Sequence, residues 1–264
     1  MPLAEVNGTS LHYEFSGDGE RTLVLLNGIF QRTEAWEKLL PQLRGFRVLR
    51  YDMRGQGQSD VPPGAYTPDL HADDLASLLA TLGVERYGIL GLSNGGIVAQ
   101  VHAARQASGL ERAVIACTTP LLDPLLRAKV EGWRIALDLG GTPARLRVAQ
   151  GWVWGRAFLE QYPQVSSDAG IEAALAIAPT EEAQRNLLDG FFTLSDLRPR
   201  LAKVTAPCLV VSGEDDLLFP PHYGRLIADA IPGARFVSLP ELGHAAPMED
   251  PRAFAAAVLP FLAN

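Results

Sequence analysis

The most constraining feature of this chain is an alternation between short apolar runs and amphipathic stretches. Phe46 to Tyr51 predicts a strand, Leu75, Leu78, Leu79 and Leu82 mark one face of a helix, and Tyr87 to Leu92 predicts a second strand. Ile97, Val98 and Val101 then fall at helical spacing, and Ala113 to Cys117 predicts a short, fully buried strand. Thr67-Pro68 supplies an N-cap and a first-turn proline for the earlier helix. Strands separated by crossover helices pair in parallel, so the rhythm predicts a mostly parallel sheet covered by helices. Ahead of it, Leu11 to Phe15 and Thr22 to Leu26 alternate like strands, with Ser16-Gly17-Asp18-Gly19 as turn chemistry, which predicts an antiparallel pair.

The rhythm breaks at Thr119-Pro120. From residue 121 to residue 200 no strand is legible, and the stretch is helix-like with interruptions at Gly140-Gly141, Pro163 and Pro179. It holds Trp133, Trp152 and Trp154, three of the four tryptophans, together with Phe158, Phe191 and Phe192. Strand and helix then resume with Cys208 to Val211, a helix near Tyr223 to Ala230, the strand Arg235 to Leu239, and a closing helix carrying Phe254, Val258 and Phe261. The expectation is an α/β core built from residues 1–120 and 201–264, with a helical cap over 121–200 inserted between two strands of one sheet.

A length of 264 residues suits one large domain or a core with an insertion, and 47% hydrophobic with 20% charged residues is a globular balance. The net charge of −7, without any Lys/Arg cluster, argues against nucleic acid as a partner. Cys117 and Cys208 each sit in apolar sequence and are expected as buried small side chains in a reducing compartment. No apolar run approaches about 18 residues and no leader segment is legible, so a cytoplasmic protein with no membrane partner, monomer or homodimer, is expected.

The chemistry centres on Gly91-Leu92-Ser93-Asn94-Gly95, a G-x-S-x-G string between an apolar strand and an amphipathic helix. Glycines two residues before and after the serine let the chain turn sharply and leave the hydroxyl exposed. The helix that starts there offers unpaired N–H groups to a developing oxyanion, with Asn94 as a natural donor. A serine hydroxyl needs a base with a pKa near 7, usually histidine. Of five histidines, His12 falls in the N-terminal strands, His71 and His102 on helices, and His222 after a double proline. His244 instead follows the strand ending at Leu239, at the carboxyl edge of the sheet, where open α/β sheets gather their active sites. Asp215 and Asp216 follow the strand Leu209 to Ser212 at the same edge and are candidates to hold the imidazole. Gly55-x-Gly57 after a strand also invites a dinucleotide reading, but Asp60 occupies the third glycine position.

With Ser, acid and His in this order, the chain resembles the α/β-hydrolase superfamily over nearly its whole length. The resemblance implies an eight-stranded, mostly parallel sheet flanked by helices. Gly213-Glu214-Asp215-Asp216 with Pro220 is similar to the family's acid turn and selects Asp216; Asp123, at the alternative acid position, lacks that framing. Gly243-His244 with Glu249 and Pro251 resembles the histidine loop, and Asp52 to Ser59 the turn after the fourth strand. By the same resemblance the second oxyanion donor lies in Asn27-Gly28-Ile29-Phe30, with Ile29 as candidate. Asn27, where His is commoner, is similar to the 3-oxoadipate enol-lactonase group, as are Asp60-Val61-Pro62, Tyr66 and His71 to Leu75.

These residues predict a hydrolase of a small-molecule carboxylic ester or lactone. Ser93, Asp216 and His244 are its catalytic candidates, with Ile29 and Asn94 as oxyanion donors. Phe30, Trp133, Trp152, Trp154 and Phe219 are the candidate substrate contacts. No metal or organic cofactor is required by that chemistry, and no Cys/His cluster with zinc spacing is present. Two rivals stand beside it: hydrolysis of a carbon–carbon bond in a dienoic diketone acid, which a basic residue aimed into the pocket would favour, and a ligand-sensing module that keeps the pocket without turnover. Arg127, Arg134 and Arg156 are the basic residues considered for such a role, each more consistent with a solvated surface.

Overall fold

The computed structural model describes residues 2–263. Eight strands, β1 (Leu3–Val6), β2 (Thr9–Ser16), β3 (Arg21–Leu26), β4 (Phe46–Tyr51), β5 (Tyr87–Leu92), β6 (Leu110–Ala116), β7 (Cys208–Gly213) and β8 (Arg235–Leu239), form one sheet. Their order is β1-β2-β4-β3-β5-β6-β7-β8, parallel from β4 to β8 and antiparallel only at β1 and β2.

Helices α1 (Pro68–Thr81), α2 (Asn94–Ala104) and α8 (Pro221–Ala230) lie over one face, and α10 (Pro251–Leu262) over the other. Alternate residues of β3 divide between the two layers. Val24 and Leu26 pack with Leu75, Leu78, Ile97 and Ile227, whereas Leu23 and Leu25 pack with Trp36, Phe254, Val258 and Phe261. Burial on both faces explains why these strands are unbroken apolar runs.

The sequence expectation of an antiparallel β2–β3 pair does not hold. β4 lies between them: Tyr13 of β2 pairs with Tyr51, and Leu23 of β3 pairs with Val48. β3, buried from Thr22 to Leu26, needs a neighbour on each side, and it finds β4 and β5. The glycines of the linker serve that crossing. A Cβ on Gly17 or Gly19 would collide with the Phe46 or Gly45 carbonyl, so the chain passes directly against the start of β4. The N-terminal hairpin is instead β1–β2, turned at Asn7-Gly8, where both residues have positive φ (44° and 72°), as a two-residue hairpin turn requires.

Between β6 and β7 the described chain is helical: α3 (Pro124–Val153), α4 (Arg156–Gln161), α5 (Asp168–Leu175), α6 (Glu181–Phe191) and α7 (Arg198–Leu201). α3 is two helices joined at a kink. Gly140 and Gly141 leave helical geometry, Gly141 with φ 66°, and Pro143 opens the second half. The Leu197 N–H donates to the Pro120 carbonyl (2.8 Å), which brings the far end of this stretch back to its start. Gly190 of α6 lies so close to the Tyr66 carbonyl that a Cβ there would collide with it. α9 (Ala246–Glu249) completes the helices. Cys117 and Cys208 are free and buried, and among the described residues no helix is long and apolar enough to cross a membrane.

Candidate active site

Ser93 occupies the turn from β5 into α2 with φ 57° and ψ −117°, a conformation that L-residues adopt only at a cost. The surroundings allow no other path. A Cβ on Gly91 would strike the Gly95 carbonyl, and one on Gly95 would strike the Leu26 carbonyl of β3. The Ser93 N–H donates to Ala116 O (2.9 Å), and Thr118 Oγ1 donates to Ser93 O (2.7 Å), which fasten the turn to the end of β6. The G-x-S-x-G spacing is therefore a steric condition for packing α2 against β3 while the serine points out.

His244, on the loop after β8, places Nε2 2.9 Å from Ser93 Oγ and Nδ1 3.0 Å from Asp216 Oδ2. The other Asp216 oxygen accepts from the Leu218 and Phe219 amides (2.9 and 2.8 Å). Asp216 is 1% exposed, so its orientation is set by the protein. A carboxylate only accepts, which puts the imidazole proton on Nδ1 and leaves Nε2 free to accept from the serine hydroxyl. Asp215 does not face the imidazole; its N–H donates to Leu242 O (2.9 Å). Asp123 caps α3 through the Leu126 amide (2.8 Å) and accepts from Tyr223 Oη (2.6 Å).

The histidine loop is tied to the helical stretch. Glu249 accepts from the Gly243 and Gly155 amides (2.7 and 3.2 Å), and Ala245 N–H donates to Val153 O (3.2 Å). Burial pushes the Glu249 carboxyl up while those amides pull it down, with burial the larger effect. The ring of Phe219 meets His244 edge-on at 5.1 Å.

The remaining histidines have structural surroundings. His12 Nδ1 bonds Asp52 Oδ2 (3.1 Å), His102 Nε2 bonds Tyr87 Oη (2.7 Å), His71 is buried beside Tyr66, and His222 lies against Tyr223. Asp52 also accepts from the Thr33 and Gln58 amides (2.7 and 2.9 Å), and a Cβ on Gly57 would strike its carboxylate. A Cβ on Gly55 would strike the Tyr66 ring, so both glycines serve packing around the Asp52–Ser59 turn. No helix begins until Pro68, so the stretch lacks the helix N-terminus a dinucleotide phosphate would need.

A cavity of about 810 Å³ opens above Ser93 and His244. Ile29 and Phe30 line it from the loop after β3, and Trp133, Leu146, Val153 and Trp154 from the helical stretch. Small residues of α5, Ala169, Gly170, Ala173 and Ala174, also line it and leave space where the sequence suggested aromatic lining. Trp152 and Phe219, both anticipated as substrate contacts, do not line it. Trp152 packs under Lys129, 4.9 Å from Nζ to the ring, and Phe219 is buried behind His244. The sequence reading also missed Arg145, which lines the cavity while Arg127, Arg134 and Arg156 pair with surface carboxylates.

Asn94 opens α2, so its N–H is among the donors a helix start leaves free. The Ile29 N–H has no backbone acceptor among the described residues. Asn27 itself is structural: its amide accepts from Trp36 Nε1 (2.7 Å) and donates to Tyr51 O (3.1 Å).

Sheet order, a strained serine turn and a histidine at the carboxyl edge define an α/β protein with a serine-centred site. A family model described as the alpha/beta hydrolase fold matches residues 21–251, and the chain belongs to that family. It is similar to the enol-lactonase from Burkholderia xenovorans LB400, with a TM-score of 0.88 and 32% identity over all of both chains. A hydrolase structure from Pseudomonas aeruginosa PA01 superposes with a TM-score of 0.87 at 35% identity, covering 99% of this chain and 98% of that one. Among curated proteins, 3-oxoadipate enol-lactonase 2 of Acinetobacter baylyi is 26% identical over 94% of this chain and 91% of its own length.

Proposed function

We propose that the protein hydrolyses a carboxylic ester or lactone of a small molecule through an acyl-enzyme on Ser93. The observation that carries this reading is the continuous relay from Asp216 through both nitrogens of His244 to the Ser93 hydroxyl, opening onto a cavity. His244 takes the Ser93 proton as Oγ attacks the carbonyl carbon, and the Ile29 and Asn94 amides hold the oxyanion. The bond to the leaving oxygen breaks, and that oxygen takes the proton from His244. Water then adds to the acyl group with His244 as base, and Ser93 leaves with its proton restored. Asp216 fixes the tautomer and stabilises the imidazolium in both halves.

In this reading residues 121–200 act as a cap over a core of residues 1–120 and 201–264, with the tether between Glu249 and Gly155 holding cap and histidine loop together. Similarity to an enol-lactonase over the full chain supports the lactone side of the proposal. Hydrolysis of a carbon–carbon bond in a dienoic diketone acid keeps one observation in its favour, the buried Arg145 in the cavity wall.

The test is Ser93→Ala beside the parent on short p-nitrophenyl esters. Turnover should fall at least about 10³-fold, toward what an oxyanion hole and binding alone supply. Retained turnover overturns the proposal, and a parent that cleaves vinylogous diketone acids but no ester transfers it to the carbon–carbon reading.

A further inference from the structure

Arg145 sits one turn beyond the Gly140-Gly141 kink, 3% exposed, in the wall of the cavity that holds Ser93 and His244. Its Nε donates to Gln184 Oε1 (2.6 Å), while Nη1 and Nη2 have no hydrogen-bond or ion-pair partner among the described residues. The orientation of Gln184 is not free. Its Nε2 donates to Thr142 Oγ1 (2.8 Å) and Pro179 O (2.7 Å), so only the amide oxygen can face Arg145. The guanidinium carbon lies 4.3 Å from the centroid of the ring of Phe30, the residue after Ile29.

Such an arrangement is costly for a structural residue. Burial alone pushes the guanidinium down to about 10, because no carboxylate compensates the charge. Glu181, which accepts from the Thr142 N–H close to the kink, is paired with Arg185 instead. A cation kept only to fill space is commonly replaceable by an apolar side chain without loss, whereas one left with an open fork is matched to an anion supplied from outside. The rest of the lining agrees. Among the described residues that line the cavity, Arg145 and the exposed Lys38 are the charged ones, and no Asp or Glu is among them, in a chain whose net charge is −7.

We propose that Arg145 is a carboxylate-binding subsite, so that the acyl group delivered to Ser93 carries a second, anionic carboxyl end. Nε is committed to Gln184, which leaves the Nη1/Nη2 end of the planar fork for a two-oxygen, bidentate contact. Its cation–π contact with Phe30 couples this end of the substrate to the loop that bears Ile29. The distance from bound carboxylate to reacting carbonyl is thereby set by the protein, and dicarboxylic half-esters or lactones bearing a free carboxyl are the matching class. The substrate assignment rests on the ester-hydrolase reading; the anion subsite does not.

Two measurements separate them. First, mono-p-nitrophenyl esters of butanedioic, hexanedioic and octanedioic acids are compared with neutral p-nitrophenyl esters of the same chain lengths. One charge-assisted bidentate contact predicts a kcat/KM preference for a half-ester of about 10- to 100-fold over its neutral counterpart. The ratio should fall to near or below one in Arg145→Met and recover in part in Arg145→Lys. Second, adipamate and hexanamide are titrated calorimetrically into Ser93→Ala protein, with and without Arg145→Met. Adipamate should bind about 10-fold or more tightly than hexanamide only where Arg145 is present.

A parent that hydrolyses both ester series equally, with Ser93→Ala protein that binds the two amides equally, overturns the proposal; neither result depends on any Arg145 variant folding. Equal loss on anionic and neutral esters in Arg145→Met, with the ratio intact, also overturns it. If neither ester series turns over but adipamate still selects Arg145, the anion subsite stands and the ester reading fails.

Discussion

Ser93 pays for its place with a strained backbone, and the strain is legible because only glycine at positions 91 and 95 lets β3, β5 and α2 come together around it. The partner side chains were legible for a related reason, since each follows a strand of a parallel sheet at its carboxyl edge. Which of Asp215 and Asp216 meets His244 is decided by the turn: the Leu218 and Phe219 amides hold the Asp216 carboxylate, and Asp215 is drawn away by the Leu242 carbonyl. Asp216→Asn keeps those amide contacts only with its oxygen toward Leu218 and Phe219, which turns the NH₂ to Nδ1 and favours the wrong imidazole tautomer. The expected result is a loss of about 10⁴ in kcat with little change in thermal stability, read by steady-state kinetics beside a melting curve. Arg145 was not legible because helical phase carries through a helix only until it breaks. Counted afresh from Pro143, Arg145, Ala149 and Val153 share one face, and that face is the cavity wall.

At the scale of elements, the strands of the parallel region were legible because burial on both faces makes them short apolar runs. The N-terminal pairing was not. Ser16-Gly17-Asp18-Gly19 reads as a turn, but the requirement that β3 be flanked on both sides outweighs local turn chemistry, and the glycines serve a close crossing at Gly45-Phe46. The Asn7-Gly8 pair was the available hairpin signal. One tether between elements has a testable consequence. Glu249 accepts from Gly243 beside His244 and from Gly155 at the start of α4, so Glu249→Ala leaves two amides without acceptors. An unsatisfied buried amide costs about 1–3 kcal/mol, and the variant should melt several degrees lower. Its kcat on a short ester should also fall, because the loop that aims the imidazole is released. Glu249→Gln, retaining one acceptor oxygen, should recover part of both losses; a variant with unchanged melting point and rate would show that the loop is held elsewhere.

For the whole molecule, acid sensitivity follows from two buried histidines that do not line the cavity. His71 and His102 are buried, and burial pushes both imidazoles down from 6.5 to about 4. Between those values the unfolded chain binds protons that the fold refuses, so their contribution to stability is fully present above pH 6.5 and is lost as pH falls toward 4. Each is worth on the order of 2 kcal/mol by pH 4.5. His102→Gln retains an acceptor for Tyr87 Oη but removes the titration, so urea unfolding should show a shallower fall in stability from pH 7.5 to pH 4.5 than the parent; parallel slopes would contradict the assignment. The cavity volume is the feature of the whole molecule least visible in sequence, because it depends on alanines and a glycine of α5 in its lining rather than on any marked residue. The account as a whole stands on Ser93 being a nucleophile made reactive by His244. Intact-protein and peptide mass spectrometry after treatment with a fluorophosphonate tests this directly. The prediction is a single adduct on the peptide containing Ser93, formed rapidly in the parent and slowed at least about 10³-fold in His244→Ala. An adduct on another residue, or equal labelling of both proteins, would contradict it.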